Sequence, residues 1–196
     1  MKQLAVFAAI VAALTTFQAP AQNPALKAKV LAAPADATRQ TVLIGRALIN
    51  NDMIIMFELE PAKPMWMQMG GKWMEHAVGP GQQFHVEVKP IDPVSKTRIS
   101  NADVKFEATN KSNGKTISAD LHPMWGGSGL HYAVNDALAG DGVYEARITV
   151  APPTFARDTR NKGLWMKPAQ GSFHFKLVGG KLVEVTEPGD ELARRK

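Results

Sequence analysis

From residue 41 to residue 185 the chain falls into short runs rich in β-branched and aromatic residues, each closed by a turn signal, and this punctuation constrains the fold most. The runs are Thr41 to Leu48, Met53 to Glu60, Gln82 to Lys89, Asp103 to Thr109, Lys115 to Leu121, Val143 to Val150, Ser172 to Val178 and Lys181 to Val185. Runs of this length and spacing predict strands, and their number predicts an all-β sandwich. Asn50-Asn51-Asp52, Asn113-Gly114, Gly140-Asp141-Gly142 and Gly179-Gly180 stand at the joints, where left-handed backbone is most easily adopted. No repeat of fixed period and no composition break divides residues 40–185, which read as a single β-sandwich domain.

The ends read differently. Lys2, the apolar stretch Leu4 to Leu14 and the small-residue site Ala19-Pro20-Ala21 make residues 1–21 a signal peptide, cleaved before Gln22. The stretch is shorter than the roughly 20 residues a membrane span needs. The mature chain is therefore expected outside the cytoplasm without membrane insertion, in the periplasm of a Gram-negative source. Residues 22–39 are rich in Ala, Pro and Lys and predict a flexible linker; residues 186–196 predict a charged tail. The net charge is +5, but the basic residues are scattered, with a run only at Arg194-Arg195-Lys196, which argues against a nucleic-acid partner. The chain has no Cys, so disulfides, thiolate metal sites and cysteine nucleophiles are excluded together. Any metal must be held by His, Met, Asp or Glu.

Three stretches carry residues capable of that chemistry. In Phe84-His85-Val86-Glu87-Val88-Lys89, strand alternation puts the apolar residues on one face and leaves His85 and Glu87 as neighbours on the other, expected to be the outer one. In Leu121 to Tyr132, Met124 and His131 stand seven positions apart across Gly126, Gly127 and Gly129, and converge if the chain reverses there; His122 is a further candidate. Met and His together form a soft to borderline pair suited to copper. The third stretch, Met65 to His76, belongs to a region from Met53 to Met74 that holds six of the nine Met residues. It reads as core or interface packing, with soft-metal capture as the alternative. His174 alternates with Phe173 and Phe175 and is expected to face solvent. No G-x-S-x-G, Walker-type loop, H-E-x-x-H or dinucleotide fingerprint is present, so an ordinary enzyme is disfavoured.

Taken in order, Ile49-Asn50-Asn51, His85-Val86-Glu87, Pro123-Met124, His131-Tyr132, Val143-Tyr144 with Pro152-Pro153, Arg157-Asp158-Thr159 and Trp165-Met166-Lys167-Pro168 resemble the periplasmic Fe2+ transport protein family. That family includes copper- and iron-binding proteins of bacterial iron uptake and a treponemal metal-binding lipoprotein. The resemblance implies an immunoglobulin-like β-sandwich, a homodimer, bound copper and/or iron, and an inner-membrane iron permease as partner. It also implies a metal site built from His85, Glu87, Met124 and His131. The family's last ligand is a His within Arg-His-Thr, where this chain has Asp158. A carboxylate there would harden the ligand set toward Fe2+ or Mn2+; a site that no longer binds, or an imidazole supplied by His122, are the other readings of that departure.

The resulting expectation is a secreted metal-binding protein that captures iron and/or copper and assists iron delivery to a permease, through a small, shallow site. Two alternatives stand beside it. One is a β-sandwich interaction module using the Met and Trp segment as its surface; the other is a copper-tolerance protein sequestering Cu+ through Met67-Gln68-Met69.

Overall fold

The computed structural model describes residues 41–136 and 138–185, so the expected signal peptide, linker and tail lie outside the described residues. Among the described residues there is no helix, and none therefore that is long and apolar enough to cross a membrane. Eleven strands are present: β1 (Val42–Ile49), β2 (Met53–Pro61), β3 (Met65–Met69), β4 (Lys72–His76), β5 (Phe84–Ile91), β6 (Val104–Asn110), β7 (Thr116–Gly126), β8 (Gly129–Asp136), β9 (Gly142–Val150), β10 (Ala169–Val178) and β11 (Lys181–Val185). Nine of them form one antiparallel run in the order β1-β2-β5-β8-β7-β6-β9-β10-β11, while β3 and β4 form a separate hairpin.

The all-β expectation holds, and the long strand β7 explains how one hydrogen-bonded run makes two layers. Its first half, Thr116 to Leu121, pairs with β6, and its second half, His122 to Gly126, pairs with β8. The run thus turns over at Leu121 and His122, and its two ends return to each other where β1 packs on β10. The core lies inside that curl. Phe57 of β2 meets Phe106 of β6 and Phe173 and Phe175 of β10, with ring centroids 5.5–6.1 Å apart, and Tyr144 stacks on Phe175 at 4.8 Å. All five rings are essentially buried. Aromatic residues at alternate positions on facing strands fill the space between two layers.

Two features differ from the sequence reading. β8 was not anticipated, because Gly129 to Asp136 lacks a long β-branched run. The β3–β4 hairpin also went unassigned; it closes through Gly70 and Gly71 at φ of 57° and 80°, the left-handed pair that a tight two-residue turn requires. The expected joint at Asn50-Asn51-Asp52 also uses left-handed backbone, with φ of 51° and 64° at Asn50 and Asn51, in a three-residue loop between Ile49 and Met53.

Candidate metal centre

The register of four neighbouring strands gathers the polar residues. Across β2 and β5, Glu58 lies opposite Glu87 and Glu60 opposite His85. Across β5 and β8, His85 lies opposite Asn135 and Glu87 opposite Ala133. Across β8 and β7, His131 lies opposite Met124 and Ala133 opposite His122. Directly opposed residues share a face, as do residues two apart. One face of this layer therefore carries Glu58, Glu60, His85, Glu87, Lys89, Met124, His131 and Asn135, while Phe57, Leu59, Val86, Val88 and Tyr132 point from the other into the core.

The expected outer face is not exposed. His85 is 0%, His131 1% and Glu87 4% accessible, so the site is buried and the shallow-site expectation is corrected. β5 is buried on both faces because the connection after β2 and the β7–β8 turn lie over the polar one: Asn135 Nδ2 donates to the Lys63 carbonyl at 2.8 Å, and Ser128 Oγ donates to Glu87 Oε1 at 3.1 Å.

Each imidazole is held by its Nδ1. The Asn135 amide nitrogen is committed to Lys63, so its Oδ1 faces His85 as an acceptor, 2.9 Å from Nδ1. His131 Nδ1 lies 2.9 Å from the Gly129 carbonyl, which can only accept. With Nδ1 engaged in both rings, Nε2 is the nitrogen left to meet a ligand in each, and both Nε2 atoms are buried without a hydrogen-bond partner. The rings stand nearly perpendicular with centroids 6.2 Å apart. One ligand atom from each of His85, Glu87 and His131 falls within 4.8 Å of the others. Buried, unpaired polar atoms are costly unless something meets them, and a pair of imidazole nitrogens is a donor set that a borderline transition-metal ion takes. These residues fit such an ion.

Electrostatics favours the neutral form of His85. Burial is the main force lowering the His85 pKa below 6.5; the Asn135 hydrogen bond opposes it, Lys63 adds to it, and Glu60 and Glu87 oppose it. Burial works to raise the Glu87 carboxyl, but the Lys89 hydrogen bond and charge, the nearby His131 and the Ser128 hydroxyl together bring it below its ordinary value. At neutral pH the centre therefore offers a neutral His85 and an ionised Glu87.

Gly126 has a second role besides the chain reversal. A Cβ there would stand 2.9 Å from His131 Cε1, so only glycine leaves room for the ring. Half-buried Met124, His131, exposed His122 and Met67 help to line a cavity of about 570 Å³ that the β3–β4 hairpin bounds. In that hairpin only Met65 is buried, whereas Trp66, Met69, Trp73 and Met74 are 51–66% exposed, so the segment does not fill the core. His174 is exposed on β10, as expected.

Asp158 is not brought to this cluster within one chain. Its Oδ1 accepts the Arg160 and Asn161 amides at 2.9 Å. Its loop is fastened by Trp165, whose backbone amide donates to Asp52 Oδ2 at 2.7 Å. Asp52 precedes β2 at the end away from Glu60, roughly 25 Å along the strand at about 3.3 Å per residue. Glu58, Glu60, Lys63, Ser128 and Asn135 were missed by sequence reasoning. The alternation in Phe57-Glu58-Leu59-Glu60 was the available signal, but it has meaning only once β2 is paired to β5.

Comparison with known proteins bears on the motif order read from the sequence. Residues 95–179 match the Fe2+ transport protein family. The UPF0423 proteins of Brucella abortus, Brucella suis and Brucella melitensis are 33% identical to this chain over 85 residues, 39% of its length. That match spans about half, 47%, of those relatives. Among solved structures, uropathogenic E. coli FetP is similar with a TM-score of 0.58 and 21% identity, over 74% of this chain and 99% of FetP. A copper-bound variant of the Campylobacter jejuni P19 protein is similar with a TM-score of 0.58 and 22% identity, over 72% and 99% of the two chains. At these identities the structural likeness shows the fold; the family match covers the motifs from Pro123-Met124 to Trp165-Met166-Lys167-Pro168 and leaves out Ile49-Asn50-Asn51 and His85-Val86-Glu87.

Proposed function

We propose that this chain is a periplasmic metal-binding protein that captures copper and/or iron at His85, His131 and Met124 and assists iron delivery to an inner-membrane permease. The observation that carries the reading is the pair of buried Nε2 atoms, each left without a partner while Nδ1 of the same ring is engaged. The Fe2+ transport family match supports the iron assignment, and the copper-bound neighbour supports copper. The protein's part is binding and hand-over rather than catalysis. Rigid strands preorganise the donors, and Met124 and His131 line a common cavity. Asp158 joins the ligand set only if a second subunit brings it, which is the role left for the homodimer.

The test is a thermal melt of the metal-stripped mature protein with Cu2+, Cu+, Fe2+, Mn2+ and Zn2+. An ion at about a hundred times its dissociation constant adds roughly 2.7 kcal/mol, or about 5–10 °C for a chain of this size. A selective rise, absent from His131→Ala, supports the reading; a flat panel overturns it.

A second reading has its own observation. Trp66, Trp73 and Trp125 are 65%, 66% and 81% exposed around one cavity, a surface suited to a protein partner. Loss of partner binding in Trp66→Ala/Trp73→Ala, with metal affinity retained, would assign the surface to interaction alone.

A further inference from the structure

Beside the imidazole pair lies a second cavity, of about 290 Å³, lined by three carboxylates, Glu58, Glu60 and Glu87, together with Lys63, Lys89 and His131. All three carboxylates are at most 7% accessible. Such a cluster needs cations, because buried charge is costly unless paired. The protein supplies them itself. Lys89, 4% accessible, projects from β5 on the same face as Glu87; its Nζ lies 2.6 Å from Glu87 Oε1 and contacts Glu58 Oε2. Lys63 Nζ contacts Glu60 Oε1. An ammonium held between oxygens of two different carboxylates stands where a hard divalent ion would otherwise be ligated.

We propose that Lys89 is the resident cation of this carboxylate cavity, so that Glu87 serves as its ion-pair partner and the chain takes a single metal ion, at the imidazole and thioether donors. The inference rests on the metal-binding reading and sharpens it: copper and iron compete for one centre instead of filling two. A free ion entering the carboxylate cavity would have to expel a buried ammonium from two contacts or sit against its charge. The donors that remain, His85, His131 and Met124, are borderline to soft, and the carboxylate that would harden the set is already neutralised by Lys89. Lys89 thereby determines both stoichiometry and ion preference without touching the ion.

The test offers metal-stripped protein Cu2+ and Mn2+ together, followed by desalting and metal analysis. Wild type is expected to retain about one ion per chain, with Cu2+ excluding Mn2+. Lys89→Met, which keeps the aliphatic stem and removes the charge, should retain close to two, with Mn2+ beside Cu2+; Lys89→Arg should stay at one. If Lys89→Met does not fold, the double variant Glu58→Gln/Lys89→Met removes one charge of each sign and carries the same expectation. Two ions in wild type, or one in both neutralised variants, would overturn the proposal. A wild type that binds neither ion would remove the metal reading and this inference with it, so the two failures are distinguishable.

Discussion

The strands β2, β5 and β8 are buried on both faces, and the two faces are different solvents. On one, Phe57, Leu59, Val86, Val88 and Tyr132 pack into an aromatic and aliphatic core closed by the opposite layer. On the other, the alternate residues Glu58, Glu60, His85, Glu87, Lys89, His131 and Asn135 make an ionic layer, equally dry but closed by a turn and a connecting segment. The first face gains from any good packing, because the hydrophobic effect is non-directional. The second holds together only while each group keeps its partner, because removing one leaves a buried charge or donor unsatisfied. Stability and binding are thus written on the same strands at alternate positions.

The sharpest way to separate the faces is to damage the apolar one. Phe57 meets three aromatic rings across the layers, and Phe57→Ala should cost about 3–5 kcal/mol in denaturant unfolding of the metal-free protein. Where the variant is folded, its copper affinity should stay within a few-fold of wild type. A large loss of affinity with little loss of stability would show that the two faces are not independent.

The next effect lies on the ionic face. Asn135 accepts from His85 Nδ1 and so holds its ring and its tautomer. Asn135→Ala should reduce metal affinity about 10–100-fold, the usual cost of losing a partner behind a ligand, with about 1–3 kcal/mol of stability lost for the stranded donor. Competition titration against a chelator reads the first and urea unfolding the second. Unchanged affinity would mean that His85 is positioned by packing alone.

How much of this could be read beforehand follows the same division. The core face was legible, because Phe84, Val86 and Val88, and likewise Phe173, Phe175 and Leu177, alternate in a period that needs no knowledge of neighbours. His85 and Glu87 were legible as a pair, and Met124 with His131 as two arms of a reversal. Their burial was not, because β2 and β5 are separated by the β3–β4 hairpin and nothing local sets their register. Glu58, Glu60 and Asn135 acquire meaning only through that register. The glycines after Met124 read as a flexible turn, whereas Gly126 is there to admit the His131 ring. Asp158 stands where the resembled family has a His, on a loop that Trp165 ties to Asp52 ahead of β2, so sequence order alone could not distinguish a ligand within the chain from one supplied by a second subunit.

The smallest effect asks whether the ionic face alone responds to acid. The apolar core has no titrating side chain in this range; His85 does, and its folded pKa lies below 6.5. Below that value the unfolded chain takes up the proton that the folded chain refuses, so stability should fall as pH drops from about 6.5 toward the folded pKa, by no more than about 1.4 kcal/mol per pH unit for one proton. Glu87 acts in the same direction further down: its folded pKa lies below 4.5, so its contribution is present above 4.5 and lost as pH falls through the folded value. Urea unfolding of the metal-free protein between pH 7.5 and pH 5.0 therefore separates His85 from Glu87. His85→Gln should flatten the curve in that window, and a slope unchanged by the substitution would place the acid sensitivity elsewhere in the molecule.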